Sequence, residues 1–215
     1  MNAAVTGTSS GIGLAIAEKF LREGHAVFGF DVQESRIDHP NYRHFVQDIR
    51  QETLPALPEM EILINSAGTL EESQAIDVNL TGTIRFTEQF LDSPALRSIL
   101  FIASASARNG AEFPQYVASK AGLVGYMKNL ALSVAKRGVT CNSISPGGVI
   151  TPANRHILEN EELYAAVKAE TLLGKWAEPE GIADLAYFLT VQNRSITGED
   201  LLIDNGEMLK SNFIW

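Results

Sequence analysis

The chain has 215 residues, of which 45% are hydrophobic and 20% charged, and its formal net charge is −9. This composition predicts one globular domain covering residues 1–215, and the acidic balance argues against a nucleic-acid partner, which would require a basic face. No apolar stretch approaches the length of a membrane span and no signal-like segment precedes the first strand, so we expect no membrane partner and a cytoplasmic location.

Strands and helices alternate from one end of the chain to the other. Residues 50–59 contain Pro55 and Pro58 and can hold at most a short helix. Near-continuous apolar strands between helices indicate a parallel sheet covered on both faces. We therefore predict a doubly wound α/β sandwich with a seven-stranded, mostly parallel sheet and ligands beyond the carboxyl ends of its strands. The predicted strands are 3–5, 25–30, 42–46, 61–65, 97–103, 139–145 and 199–204, and the predicted helices are 14–21, 71–91, 116–136, 160–171 and 180–190.

The turn between the first strand and the first helix is rich in glycine. Glycines lack the Cβ atoms that would keep a pyrophosphate away from the backbone, and the unpaired N–H groups of a helix start attract anions. The turn therefore predicts a dinucleotide site, although an ordinary strand-to-helix turn rich in Gly and Ser is the alternative. Its predicted cofactor-binding residues are Gly7, Ser9, Ser10, Gly11, Ile12 and Gly13.

The end of the second predicted strand carries an acidic residue, Asp31. A carboxylate there accepts hydrogen bonds from the ribose 2′-hydroxyl of NAD and repels the 2′-phosphate of NADP. The turn at residues 8–10 has no Lys or Arg for that phosphate, so we predict NAD, with NADP less favoured. Asp could also simply end a strand at this position. Asp48 and Ile49, after the third strand, are predicted to meet the adenine.

Tyr116 and Lys120 are four residues apart on a predicted helix and therefore share one face. A neighbouring ammonium favours the phenolate, so this pair predicts a tyrosine whose pKa is lowered toward the working range of a general base. By itself the spacing is a weak signal, because surface helices supply it by chance.

With the glycine-rich turn, Asp31 and the Tyr116–Lys120 pair, the sequence resembles the short-chain dehydrogenase/reductase family, whose fold is Rossmann-like. The resemblance extends along nearly the whole chain. Two positions depart from the family motifs: Ser66 replaces the second Asn of Asn-Asn-Ala-Gly, and Asn205 replaces a usual Gly. The matching motifs are Thr6-Gly7-x-x-x-Gly11-Ile12-Gly13, Asn65-Ser66-Ala67-Gly68, Asn79 in Val78-Asn79-Leu80, Ser104 in Ile102-Ala103-Ser104, Tyr116-x-x-x-Lys120, Pro146-Gly147-x-x-x-Thr151 and the segments 178–183 and 196–206.

The resemblance implies hydride transfer between NAD(H) and a small alcohol or carbonyl substrate. By the same resemblance, Tyr116 exchanges the hydroxyl proton and Lys120 bonds the nicotinamide ribose. Ser104 would hydrogen-bond the substrate oxygen, and Asn79 would hold a water that links Lys120 to solvent. Further cofactor-binding residues implied by the family are Asn65, Ala67, Gly68, Pro146, Gly147, Val149 and Thr151, with Val149 and Thr151 at the nicotinamide carboxamide.

Several of these assignments have alternatives. Ser106 would share the side of Ser104 if the fifth strand continued, and Asn79 could cap or kink its helix without a catalytic role. Ser119 favours helix packing over chemistry, and Trp176 and Phe113 could flank the substrate or fill the core. The single cysteine, Cys141, lies in an apolar run that indicates burial, and no histidine has metal-ligand spacing, so no metal is predicted.

The chain departs from the family in length. Asn65 and Asn79 are only 14 residues apart, and the segment 48–62 is short as well. We therefore expect a more open substrate cleft, or one completed by a partner subunit. The resemblance also implies a homodimer or homotetramer, to which the apolar tail Phe213-Ile214-Trp215 could contribute. The alternative function is a catalytically weak NAD(H)-binding protein that acts through interactions.

Overall fold

The fold is a parallel sheet between two layers of helices. The computed structural model describes residues 1–210. Its strands are β1 (Asn2–Thr6), β2 (Ala26–Asp31), β3 (Tyr42–Val46), β4 (Ile62–Asn65), β5 (Ser98–Ile102), β6 (Thr140–Pro146) and β7 (Asp200–Ile203). Their order across the sheet is β3-β2-β1-β4-β5-β6-β7 and every neighbouring pair is parallel, where a mostly parallel sheet was predicted. The doubly wound architecture is confirmed.

The helices cover both faces of the sheet, which explains why its central strands are apolar on both sides. On one face Phe20 and Ile182 belong to the hydrophobic cluster, and on the other face Phe86 and Met127 do. Cys141 lies in the second cluster, fully buried as predicted, and burial raises the pKa of its thiol to about 12. The α-helices are α1 (Gly11–Arg22), α2 (Thr83–Glu88), α3 (Ser106–Asn109), α4 (Pro114–Val134), α5 (Arg155–Leu158), α6 (Glu161–Ala169) and α7 (Pro179–Tyr187).

The prediction of one continuous helix over residues 71–91 is wrong. A 3-10 turn at Glu72–Gln74 and a π-helical stretch at Ile76–Gly82 precede the much shorter α2. A π-helical stretch inserts an extra residue into a turn and is often found at functional sites. This stretch carries Asn79, whose buried side chain bonds to neighbouring segments, so those contacts stabilise the irregular backbone.

The other helix boundaries differ from the predictions by a few residues. α4 begins at Pro114 rather than at residue 116, because proline at the first helical position lacks an N–H that would be unpaired anyway. The predicted helix over 180–190 is α7 followed by a π-helical stretch at Phe188–Gln192. The short helices α3 and α5 were not predicted.

The connection between β3 and β4 determines where the site lies. Residues 47–61 contain neither helix nor strand, in keeping with Pro55 and Pro58. After β3, at the edge of the sheet, the chain returns past β1 and forms β4 on its other side. The segments that follow β1 and β4 therefore diverge, and this switch point is where sheets of this type bind their ligands.

Two predictions concern the surface of the molecule. Within residues 1–210, no helix is long and apolar enough to cross a bilayer. The subunit contact suggested for Phe213, Ile214 and Trp215 falls outside the described residues, so it stays a prediction.

Candidate active site

A cleft of about 860 Å³ opens at the carboxyl edge of the sheet. Ser9, Asn65 and Asn79 lie behind its wall, almost fully buried. The predicted site residues that line the cleft are Gly7, Ser10, Gly11, Ile12, Gly13, Asp31, Asp48, Ile49, Ala67, Gly68, Ser104, Tyr116, Lys120, Pro146, Gly147, Val149 and Thr151. The structure thus brings together residues that lie as far apart in sequence as Gly7 and Thr151, and it places them at the switch point.

The glycine-rich turn leaves its backbone open to the cleft. Gly7 and Gly11 have φ angles of +76° and +54°, a left-handed conformation that residues with a Cβ rarely adopt. A Cβ on Gly13 would lie 2.2 Å from the carbonyl oxygen of Gly7, so no other residue fits. The free N–H groups at the start of α1 therefore face a cradle that fits a pyrophosphate.

Thr6, a motif residue that was not included among the predicted site residues, joins the two diverging segments. Its hydroxyl oxygen accepts hydrogen bonds from the N–H groups of Ser66 and Ala67, both at 2.9 Å. A Cβ on Gly7 would lie 2.9 Å from the nitrogen of Ala67, so the two turns are in close contact. The pairing of β1 with β4 creates this link, and no spacing in the sequence indicates it.

Asp31 is held by backbone N–H groups on both sides. One carboxylate oxygen accepts from Ser9 at 3.0 Å and the other accepts from Gln33 at 2.9 Å. Each oxygen keeps a further lone pair, so the carboxylate can still accept from two hydroxyl groups of a ligand. This geometry fits a ribose diol.

Asp48 is already paired with a cation. The Arg50 guanidinium donates to both of its carboxylate oxygens, at 2.6 Å from one nitrogen, and holds the pKa of Asp48 below its usual range. Arg50 also reaches Asp77 at 3.2 Å. Two acidic partners therefore neutralise the arginine beside the predicted adenine position, and the contact of Asp48 with adenine stays a prediction.

Tyr116 and Lys120 face the cleft from the first turns of α4. The Lys120 ammonium lies 5.8 Å from the centre of the Tyr116 ring and donates to the carbonyl oxygen of Ile102 at 2.9 Å. Burial raises the pKa of Tyr116 to about 12, although the Ser104 side chain acts in the opposite direction. Burial also lowers the pKa of Lys120 to about 8. The pKa of Tyr116 was predicted to be lowered, but the loss of hydration outweighs the hydrogen bond from Ser104 and raises it instead.

The two serines at the end of β5 have different positions from those expected. The strand ends at Ile102, so Ser106 does not continue it but starts α3, and the prediction of a shared strand side is wrong. Ser106 turns back and donates its hydroxyl hydrogen to the Ser104 oxygen at 2.9 Å, and its N–H donates to the same oxygen at 3.2 Å. Ser104 lines the cleft, and its own hydrogen remains free to donate.

Asn79 connects three segments behind the catalytic pair. Its amide oxygen accepts from the N–H of Thr69 at 2.7 Å, and its amide nitrogen donates to the carbonyl oxygen of Thr69 and to the Ser119 hydroxyl. Ser119 in turn donates to the carbonyl oxygen of Tyr116 at 2.7 Å, and its role in helix packing stays a prediction. A Cβ on Gly68 would lie 3.1 Å from the Asn79 amide oxygen and 3.5 Å from the Lys120 ammonium, so both side chains pack against Gly68.

Asn65 is the one predicted cofactor residue without a visible role at the cleft. It is almost fully buried at the end of β4. Within residues 1–210, neither polar atom of its side chain has a hydrogen-bond partner. Its predicted contact with the cofactor stays a prediction.

The segment after β6 forms the opposite wall. Thr151 lies next to the glycine turn, since a Cβ on Gly11 would be 3.4 Å from its methyl group. Trp176 lines the cleft and packs over Gly148, where a Cβ would lie 2.2 Å from its indole ring. Trp176 therefore does both things considered for it: it flanks the cleft and fills the space above Gly148. Phe113 lines the cleft and is largely exposed.

Two glutamates that the sequence analysis did not single out line the outer cleft. Glu112 has a φ angle of +84°, an unusual conformation for a residue with a side chain. Burial raises the pKa of both Glu112 and Glu207, and the charge of Glu207 adds to the rise at Glu112. No motif or spacing in the sequence marks either residue, because the segments that carry Glu112 and Glu207 come together only in the folded chain.

Comparisons with known proteins agree with this architecture. A family model described as enoyl-(acyl carrier protein) reductase matches residues 44–207. The short chain dehydrogenase adrF of Penicillium roqueforti is 31% identical, with 94% of each chain covered. That alignment extends over 243 positions although this chain has 215 residues, in keeping with its shortened connections. The chain belongs to the short-chain dehydrogenase/reductase family and is an oxidoreductase.

Relatives use different forms of the nicotinamide cofactor. L-rhamnose 1-dehydrogenase (NADP(+)) of Thermoplasma acidophilum is 26% identical over 97% of this chain and 96% of its own. The structure of 4-hydroxyisoleucine dehydrogenase complexed with NADH superposes with a TM-score of 0.85 at 28% identity, covering 98% of this chain and 99% of that one. The family therefore specifies a nicotinamide dinucleotide, and the choice between NAD and NADP depends on each chain's own residues.

Proposed function

We propose that this protein transfers a hydride between NAD(H) and a small alcohol or ketone, with Tyr116 as the general acid and base. One observation carries the proposal: Tyr116, Lys120 and Ser104 meet in the same cleft that begins at the glycine-rich turn. The cradle above Gly13 and the doubly held carboxylate of Asp31 fit the pyrophosphate and the adenosine ribose of a dinucleotide.

In the direction of oxidation, the substrate hydroxyl lies between the side chains of Tyr116 and Ser104. Tyr116 accepts the hydroxyl proton, and Ser104 donates its free hydrogen to the substrate oxygen as negative charge develops there. The bound nicotinamide supplies the hydride acceptor. Lys120 stabilises the phenolate by its charge, and Asn79 keeps the loop at Thr69 in place beside it. In reduction the same groups act in reverse, with Tyr116 as the proton donor.

The decisive experiment measures NADH formation from a panel of secondary alcohols and NADH consumption with the matching ketones. Turnover with at least one substrate, lost in a Tyr116 variant, supports the proposal. If NADH binds tightly and no substrate reports, the chain acts as a cofactor-binding protein instead. We also propose that it forms a homodimer or homotetramer, as the family resemblance implies.

We expect Asp31→Ser to weaken NADH binding by about 10-fold, because two hydrogen bonds from the ribose to a charged acceptor are lost. The same change removes the negative charge that repels a 2′-phosphate, so the ratio of NADPH to NADH affinity should rise by about 100-fold. Calorimetric titration with both cofactors measures these effects. Asp38→Ser, which removes an equal charge from an exposed position of the same loop, is the matched control and should change neither affinity. An unchanged preference in the Asp31 variant would contradict the assignment to NAD.

Ser106→Ala is expected to lower kcat by about 5- to 10-fold and to leave the KM for NAD unchanged, since one hydrogen bond to Ser104 is lost. Ser106 acts through Ser104, so the double variant with Ser104→Ala should be no slower than Ser104→Ala alone. Steady-state kinetics of the three variants complete this cycle. Additive losses would show that Ser106 contacts the substrate itself and does not position Ser104.

A further inference from the structure

Two side chains of β3, Tyr42 and His44, reach across the sheet edge to the predicted cofactor site. The Tyr42 hydroxyl lies 2.9 Å from the hydroxyl of Thr8 in the glycine-rich turn and 2.9 Å from Nδ1 of His44. Nε2 of His44 lies 2.8 Å from the carbonyl oxygen of Gln33, two residues after Asp31. A continuous chain of hydrogen bonds therefore connects the phosphate-side turn to the loop that carries Asp31.

The path of this chain passes over β2, and the sequence leaves room for it. Gly29 pairs with His44 in the sheet register, so the two residues and Tyr42 share one face. A Cβ on Gly29 would lie 2.2 Å from the Tyr42 hydroxyl and 2.6 Å from the Thr8 hydroxyl. A glycine within a strand is unfavourable and often marks the close approach of another group. Here the approaching group is the Tyr42 side chain.

A second set of hydrogen bonds closes the connection into a ring. The Ser9 N–H donates to Asp31 at 3.0 Å, and the Ser9 hydroxyl donates to the carbonyl oxygen of Gln33 at 3.1 Å. That carbonyl is the group that His44 also contacts. The turn at residues 8–9 and the loop at residues 31–33 are thus joined twice, once directly and once through β3.

The direction of each hydrogen bond from Thr8 to Gln33 follows from one group that can only accept. A backbone carbonyl can only accept, so Nε2 of His44 carries the hydrogen that points at Gln33. In the neutral imidazole Nδ1 is then the acceptor for the Tyr42 hydroxyl, and the Thr8 hydroxyl donates to Tyr42. Every polar atom along this path has a partner. The loop that presents the Asp31 carboxylate is therefore ordered by the protein itself.

We propose that Tyr42 and His44 are positioning residues for the adenosine ribose, which hold the Asp31 loop in the geometry that binds the cofactor before the cofactor arrives. This inference rests on the proposed function, because it concerns the dinucleotide site. A ligand that meets an ordered loop does not have to supply the free energy of ordering it. Loss of these hydrogen bonds should therefore weaken cofactor binding at the adenosine end, with no effect on the chemical step.

The test uses Tyr42→Phe, which keeps the aromatic side chain above Gly29 and removes both hydrogen bonds of the hydroxyl. His44→Gln is a second, independent variant. Arg43→Gln, on the same strand but on the opposite face, is the matched control. Calorimetric titrations with NADH and with ADP measure affinity, and hydrogen exchange of the unliganded protein measures the order of residues 31–35. Steady-state kinetics give kcat and the KM for NAD separately.

We expect both variants to weaken the binding of NADH and of ADP by the same factor, about 10-fold, because one or two hydrogen bonds that order the loop are lost. The KM for NAD should rise in parallel while kcat stays unchanged, and exchange at residues 31–35 should accelerate without ligand. A purely structural role would lower the melting temperature and leave affinity and exchange at this loop unaltered, which would overturn the inference but not the proposed function. A wild-type protein that binds neither NADH nor ADP would overturn both.

Discussion

Tyr116→Phe is expected to lower turnover by about 10³-fold, within the range that a positioned general acid or base contributes. The variant removes the only atom of the side chain that can exchange a proton and leaves the ring, its burial and its contact with Lys120 in place. Steady-state assays in both directions, with any substrate that the wild-type protein accepts, measure the loss. NADH affinity should stay within about twofold, because the phenol hydroxyl is not needed for the pyrophosphate or adenosine contacts.

The pH dependence of the wild-type protein provides a second check on the same residue. Burial raises the pKa of Tyr116 to about 12. Oxidation needs the deprotonated phenol, so its rate should rise with pH up to about pH 8, where Lys120 begins to lose its charge, whereas reduction uses the protonated phenol and should not show this rise. Replacement of Tyr116 by Phe should abolish the rise. A Phe variant with wild-type kcat would exclude Tyr116 from the chemistry.

The sequence predicts those parts of the site whose geometry is local. Gly7, Gly11 and Gly13 follow one strand and start one helix, and Tyr116 and Lys120 are one helical turn apart, so their arrangement depends on few other residues. Asp31 is placed by the end of a strand. For each of these, the secondary structure and the general rule for parallel sheets indicate the right edge of the sheet.

The remaining features depend on which segments become neighbours in the fold. Thr6 bonds to the turn after β4 because β1 and β4 are adjacent, and Tyr42 reaches Thr8 because Gly29 leaves a gap in the strand between them. The chain turns sharply after β5, so Ser106 supports Ser104 rather than replacing it. Periodicity carries no information on any of these contacts.

Burial is the other quantity that helical spacing does not give. The four-residue step between Tyr116 and Lys120 indicates a shared face but not how much water reaches it. In the structure Lys120 is almost fully buried, which lowers the pKa of its ammonium, and burial of the Tyr116 phenol raises the pKa of that group. The direction predicted for Tyr116 therefore differs from the direction found.

Lys120→Met should remove activity and at the same time make the protein more stable at neutral pH. The pKa of Lys120 falls from 10.5 to about 8 on folding because its ammonium is buried. A shift of that size corresponds to a cost of about 3 kcal/mol while the group is charged. Methionine has a similar length and no charge. The carbonyl oxygen of Ile102 loses its donor, which costs about 1 kcal/mol, so a net gain of about 2 kcal/mol remains.

The stability gain should depend on pH with a definite sign. Between the two pKa values the unfolded chain binds more protons than the folded one, so wild-type stability rises with pH from about 8 to about 10.5. The advantage of Lys120→Met should therefore be largest at about pH 7, as a rise of about 4–8 °C in Tm, and small at about pH 10. Thermal unfolding at the two pH values measures it. A variant less stable than the wild type at both values would contradict the burial cost.

Activity should change in the opposite direction. Without the ammonium, the Tyr116 phenolate loses a neighbouring charge and the nicotinamide ribose loses a donor, so kcat/KM should fall by about 10²- to 10³-fold. Lys128→Met, on the exposed side of the same helix, is the matched control and should alter neither Tm nor kcat/KM. A residue that destabilises the fold and is required for turnover is one that the protein keeps for its chemistry. A Lys120 variant that is stabilised and still active would show that this ammonium has no part in the reaction.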